Sequence, residues 1–272
     1  MRSTSFLMLP FLASLLAIGC NKNDNTLPEK YDISYGDSIF YVRTQAGDYL
    51  INPLESRSNG EYFGYPEGIE IDSKTGTINV SKSETGLRYL ISFVDATTGD
   101  TCSTVILISG INYYDKIYNL SNNDTLALPV YNASPSRNIP LNSSFDEGNG
   151  CNGVGVSVNV NSAVINLAQT IRNGVFGVTP SNGAQKEVEL KYRVNDGSNK
   201  TLNSLKVKLY YFNTAADITP DLVQLLQDRQ GTVFGANFQF NSSYEFLSGT
   251  AGSGTAKGVA RPRPPCIFIV GR

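Results

Sequence analysis

The sequence of 272 residues predicts an all-β chain: two β-sandwich modules in tandem, then a C-terminal tail with a short helix and a final strand. Three observations carry this prediction. From Tyr31 onward, short apolar alternations are separated by Gly, Asn, Asp and Pro at intervals of roughly ten residues, the pattern of sandwich strands and turns. A segment of the first half recurs in the second half. With residues 1–19 set aside as a leader, about 250 residues remain, which suits two domains better than one.

The leader comes first. Arg2 precedes an apolar run from Phe6 to Ile18, broken only by Pro10 and Ser14, that ends at Ala17-Ile18-Gly19-Cys20. A charged start, an apolar middle and a small-residue end make a signal peptide. The run falls short of the about 20 apolar residues that a spanning helix needs, and the polar string Asn21 to Asn25 follows it. The segment Leu16-Ala17-Ile18-Gly19-Cys20 resembles the lipobox of bacterial lipoproteins, with Ala17 where Leu is commonest. The resemblance implies cleavage by signal peptidase II before Cys20 and two or three acyl chains on that residue. At about 0.8 kcal/mol per buried CH₂, such chains hold a protein stably at a membrane. The alternative is an ordinary secretory peptide with a chance Cys. Asn21 stands where Asp would signal inner-membrane retention, so the expected place is the outer membrane, periplasmic or surface-exposed.

Residues 20–30 have the polar composition of a tether. The first module, residues 31–110, contains strand patterns at Ser38 to Val42, Leu87 to Val94 and Val105 to Ile108. Within it, Gly68 to Val80 lies ungapped over Gly155 to Leu167 of the second module, residues 111–213, with coinciding apolar positions. In each copy the reading is a strand, a tight turn and a returning strand: Ile69 and Ile71 share a face with Ile78 and Val80 across the turn Asp72 to Gly76. The match resumes with Val94-Asp95 over Val194-Asn195, and with Val105 and Leu107 over Leu205 and Val207, after an insertion read as a loop near Asn173 to Lys186.

The run Pro66-Glu67-Gly68-Ile69-Glu70-Ile71-Asp72-Ser73-Lys74-Thr75-Gly76-Thr77-Ile78 resembles the Ig-like and cadherin-like modules of bacterial surface proteins. The second module departs at its turn, where Ser162-Ala163 replaces Thr75-Gly76. The resemblance implies β-sandwiches serving adhesion, spacing or ligand presentation. In the tail, residues 214–272, Thr219-Pro220-Asp221 before Leu222, Val223, Leu225 and Leu226 predicts an N-capped helix ending by Gly231. A Gly-, Ser- and Asn-rich stretch runs to Gly258, and Cys266 to Val270 is read as a strand added to a sheet edge.

Composition narrows the chemistry. With 22 Lys and Arg against 24 Asp and Glu, and no basic block, nothing is built to neutralise phosphates, so no nucleic acid is expected. The chain has no His and no Trp, which excludes His-ligated zinc and His-activated nucleophiles. No cofactor is expected. Paired carboxylates, or a Ser with a Lys, keep open an alternative: an envelope-associated hydrolase or an accessory subunit of one. With Cys20 lipidated, Cys102, Cys151 and Cys266 leave three pairings open for one disulfide, and Cys151 with Cys266 is favoured. Asp95, Asp100 and Asp196, with Asn195, sit at hairpin ends and are the calcium candidates, although no dense Asp-x-Asp pattern supports them against ordinary turn chemistry.

The loop Phe145 to Gly150 is a further ligand candidate, otherwise a mobile loop. Arg261 and Arg263 offer guanidinium groups to a partner's anion, or keep an edge soluble. Tyr113 and Tyr114, with Tyr118 and Tyr131, offer sugar-stacking faces at the module junction, against a packing role. The expectation is a non-catalytic, lipid-anchored envelope protein for adhesion, spacing or polymer binding. Its expected partners are the membrane and an envelope or extracellular polysaccharide or another surface protein.

Overall fold

The computed structural model describes residues 33–229 and 263–271, and the predicted pair of all-β sandwich modules forms within them. The leader, Cys20, the tether, Arg261 and the Gly-rich stretch lie outside the described residues. The first module holds β1 (Ile39–Phe40), β2 (Leu50–Ile51), β3 (Gly60–Tyr65), β4 (Ile78–Asn79), β5 (Leu87–Asp95) and β6 (Thr101–Ile108). Alternation along β5 sends Leu87, Tyr89, Ile91 and Phe93 to one face, where all four are buried. A sheet in the order β1-β6-β5-β3 presents that face, and the β2–β4 pair contributes the opposing Ile51 and Ile78.

The internal repeat folds alike in its first half. In the first copy Ile71 bridges Ile78, Asp72 N donates to Thr77 O at 2.9 Å and Asn79 N to Glu70 O at 2.9 Å. In the second, Val158 bridges Ile165, Asn159 N donates to Val164 O at 2.9 Å and Asn166 N to Ser157 O at 2.8 Å. Each turn is tied by its first side chain: Asp72 Oδ1 accepts from the backbone of Lys74 and Thr75, Asn159 Oδ1 from that of Asn161 and Ser162. The departure at the turn is tolerated at a cost. Gly76 has φ +71° and Ala163, in its place, φ +58°, a conformation that disfavours a Cβ by roughly 1–2 kcal/mol. A buried tyrosine secures each: Tyr35 OH donates to Gly76 O at 2.6 Å and Tyr113 OH to Ala163 O at 2.5 Å.

The second module contains β7 (Ile111–Tyr113), β8 (Lys116–Asn119), β9 (Leu126–Ala127), β10 (Pro129–Tyr131), β11 (Ser144–Phe145), β12 (Ile165–Asn166), α1 (Leu167–Arg172), β13 (Ala184–Arg193), β14 (Asn203–Phe212), α2 (Pro220–Arg229) and β15 (Cys266–Val270). Its main sheet runs β11-β13-β14-β15-β8, with β7–β10 and β9–β12 as two smaller pairs. One core joins Leu190, Tyr192, Val207, Ile267 and Ile269 to Ile111, Tyr113 and Ile165. A separate core packs Tyr210, Phe212, Phe268 and Val270 with Leu226 of α2.

Three expectations are corrected. The hairpin half of the repeat is out of phase: Val94 and Val105 are half-buried, whereas Val194 and Leu205 are buried. Strand side chains alternate faces, so an alignment that is off by one residue pairs core positions with outer ones. The insertion loop is shorter than expected: it runs from Asn173 to Gly183, but β13 already begins at Ala184. The short helix α1 stands just before it, its N-cap Asn166 accepting from Gln169 N at 2.9 Å. The helix at Pro220 forms as expected, but β15 does not sit at an edge. It lies inside the sheet, parallel to both β14 and β8, with all five residues buried. A strand covered on both faces must be apolar at every position rather than at alternate ones, as Cys266 to Val270 is.

Candidate functional site

Two polar clusters stand out against these apolar cores: one joins the modules, and the other clamps the final strand. At the junction, Tyr192 OH lies 2.6 Å from Thr85 Oγ1 and accepts from Asn203 Nδ2 at 3.0 Å and from Ile111 N at 3.3 Å. Burial pushes the Tyr192 hydroxyl up to about 12, so it stays a neutral hydrogen-bonding group. Beside it, Asp196 Oδ2 accepts from Ser109 Oγ at 2.7 Å and from Tyr131 OH at 2.9 Å, while Oδ1 accepts from Ser198 N at 2.9 Å. Asn132 closes the set, its Oδ1 accepting from Gly110 N at 3.0 Å. A Cβ on Gly197 would meet the Tyr41 ring at 2.8 Å, so this glycine permits the close approach of the two modules. A cavity of about 10 Å³ among Ser109, Tyr192, Asp196, Thr201 and Asn203 has room for about one water.

The clamp gathers around Asp115, which follows β7. Asp115 Oδ1 accepts from Cys266 N at 2.7 Å and from Arg229 Nη1 at 3.1 Å, and Oδ2 accepts from Arg263 Nη2 at 2.6 Å. Arg263 is only 2 % exposed, so this ion pair is fully internal. Glu84 joins from the first module: Oε1 accepts from Asn112 Nδ2 at 2.7 Å and Oε2 from Arg263 N at 3.2 Å. Burial raises the Glu84 carboxyl to about 7, an effect that the neighbouring Arg263 and the Asn112 hydrogen bond oppose. All four oxygens of this carboxylate pair therefore meet protein donors, the arrangement of a structural clamp.

The raised Glu84 has a pH consequence. Its folded form holds a proton that the unfolded chain releases near 4.5, so stability falls as pH rises from about 4.5 to about 7 and then levels. Melting temperatures of the unaltered chain and of Glu84→Gln, taken from pH 4 to pH 8, should show that slope only in the former. Parallel profiles would contradict the assignment.

The predicted site residues are not brought together. Asp95 and Asp100 lie at the tip of the β5–β6 hairpin, whereas Asp196 lies at the junction near the other end of β5, on the order of 30 Å away by strand length. Asp95 Oδ1 is engaged by Thr97 N and Thr98 N at 2.7 and 3.0 Å, which hold its carboxyl below the usual range. Among the described residues, no group of three or more His, Cys, Asp or Glu gathers in a metal-binding arrangement. Asn195 ties down the preceding loop, its Nδ2 donating to Leu141 O at 3.1 Å.

The favoured Cys151–Cys266 bridge does not form, and Cys102, Cys151 and Cys266 are all buried. The three belong to three different cores, with Cys151 and Cys266 in separate clusters of the second module. Burial and the adjacent Asp146 push the Cys151 thiol up to about 12. The loop Phe145 to Gly150 has an internal use as well: Asp146 accepts from Cys151 N at 2.7 Å and from Asn152 N at 2.9 Å. Arg263 does not face a partner or protect an edge, because Asp115 of its own chain takes its charge. Tyr113, Tyr118 and Tyr131 are buried and Tyr114 is 37 % exposed, which makes the group mainly packing.

Sequence reasoning missed Glu84, Asp115, Asn132 and Tyr192. Their partners are too distant along the chain to leave a local signal, although Glu84-Thr85-Gly86 stood at the entrance of a predicted strand. No protein-family model and no curated protein matches the chain. Among solved structures, human protocadherin-24 EC1-2 aligns over 66 % of this chain and 95 % of its own, at 10 % identity and a TM-score of 0.21. Drosophila N-cadherin EC1-4 aligns over 66 % of this chain and 49 % of its own, at 11 % identity and a TM-score of 0.20. The protocadherin GammaB4 extracellular domain aligns over 66 % and 34 %, at 8 % identity and a TM-score of 0.22. Likeness at these TM-scores carries no argument about what the chain binds.

Proposed function

We propose that this chain is a non-catalytic, lipid-anchored spacer of the cell envelope that holds an adhesive or polymer-binding surface away from the outer membrane. The observation that carries the reading is the junction: the two β-modules are joined through the buried contact of Tyr192 OH with Thr85 Oγ1 and the hydrogen bond that Ser109 Oγ donates to Asp196, rather than through an unstructured linker. Such a joint transmits orientation, the property a spacer needs. The engagement of Glu84 and Asp115 by internal donors supports a non-catalytic role. The lipobox resemblance at Cys20 supports the anchor, and the partner class is an envelope or extracellular polysaccharide or another surface protein.

Two measurements test this. Cys20→Ser should abolish incorporation of a labelled fatty acid and move the protein from the detergent phase to the aqueous phase; unchanged labelling would exclude the anchor. The chain from Cys20 to Arg272, with Cys20→Ser, should be retained on at least one envelope polysaccharide resin. Failure on all of them would count against polymer binding and leave protein adhesion as the spacer's role.

A further inference from the structure

We propose that β15 is an exchangeable strand through which two copies of this chain interlock, each seating its Cys266–Val270 between β8 and β14 of the other. The slot is built for one occupant. Strands β8 and β14 do not pair with each other; β15 hydrogen-bonds to both in parallel, and every residue of it is buried. A strand parallel to both neighbours has to arrive by a long connection rather than by a tight turn.

That connection is long in sequence for the short gap it joins. It leaves from Arg229 and returns at Arg263, and both side chains meet on Asp115. At about 3.3 Å per residue, the roughly 30 intervening residues have a contour on the order of 100 Å to join points that share one carboxylate. A strand from a second copy would make the same contacts, so the balance rests on local concentration against that of the tethered strand. The slot also selects the occupant. It stacks Tyr210 on Phe268 at 4.8 Å and requires an arginine three residues before the strand to reach Asp115, features that a second copy supplies by identity. The proposal goes beyond the spacer reading and does not depend on the anchor.

Lys208 lies opposite Cys266 in the β14–β15 register, which provides the test. All chains carry Cys20→Ser, so no lipid is involved. One copy carries Lys208→Cys with Cys266→Ala, and a second, differently tagged copy keeps Cys266. They are unfolded together, refolded at high concentration and oxidised with glutathione disulfide. Exchange predicts a disulfide-linked heterodimer whose fraction rises about tenfold for a tenfold rise in concentration while it is the minor species. Only monomers at every concentration, while a single chain with Lys208→Cys closes its own bridge to Cys266, would overturn the proposal. Sedimentation of the chain with Cys20→Ser alone, refolded at the same concentrations, guards against variants that fail to fold. A dimer that persists on dilution supports exchange, and a monomer throughout overturns it.

Discussion

Replacing Asp115 by Ala is expected to destabilise the chain by about 3–5 kcal/mol, because it strands the internal Arg263 guanidinium and removes the acceptor of Cys266 N. The Arg263 Nη1 atom is already a buried donor without a hydrogen-bond partner, so a second orphaned nitrogen on the same group has nowhere to turn. Glu84 takes up part of the loss, since it already accepts from the Arg263 backbone. The double variant Asp115→Leu with Arg263→Met should cost less than the sum of its single changes, because the buried Arg263 charge leaves with its partner, and Arg229 keeps its hydrogen bond to Pro264 O. Urea unfolding of the unaltered chain, Asp115→Ala, the two single variants Asp115→Leu and Arg263→Met, and the double variant checks both statements. A cost below about 1 kcal/mol for Asp115→Ala would mean that water reaches Arg263 and that the clamp does not hold the strand.

Phe268→Ala should be comparably severe, about 3–5 kcal/mol, the usual cost of emptying a buried aromatic site. Phe268 is wholly buried, with its ring stacked on Tyr210 at 4.8 Å and 4° and on Phe212 at 6.5 Å. Collapse into the cavity is limited because β15 is held by strands on both sides. Leu141→Ala, at a residue 85 % exposed, is the control and should stay within about 0.5 kcal/mol. Because single domains have only about 5–15 kcal/mol in hand, Phe268→Ala should also lower the yield of folded protein.

These two positions show how unevenly the fold could be read from the sequence. The turn Asp72 to Gly76 and its counterpart Asn159 to Ala163 were legible because an Asx side chain ties its own backbone within three residues, a wholly local device. Helix α2 was legible through Pro220 at its first turn. Helix α1 left a fainter signal, Asn166 followed three residues later by Gln169, which is an N-cap with a residue able to reach back to it. The run Cys266 to Val270 announced a strand but not its place. Five apolar residues between Pro265 and Gly271 describe a strand buried on both faces better than an edge, and that distinction would have placed β15 inside the sheet.

The candidate site was less legible still. Asp95, Asp100 and Asp196 were visible as oxygen donors, but turn amides engage Asp95 Oδ1 and junction hydroxyls engage Asp196 Oδ2, and sequence spacing does not register such partners. Asp115 sits between Tyr114 and Lys116 with nothing nearby to mark it. Its importance comes from Arg229 and Arg263, more than 100 positions away in the chain. The cysteines misled for a similar reason. Three thiols in an exported chain invite a bridge, yet each is buried in a core of its own.

Strand β15 completes the second module from within its sheet. Native-state hydrogen exchange of the backbone amides of Ile267, Phe268 and Ile269 tests it directly. Interior placement predicts protection as strong as that of Leu209 and Tyr210 in β14, reaching the global unfolding free energy. Exchange of those three amides at the rate of a fraying terminus, while β14 stays protected, would contradict it.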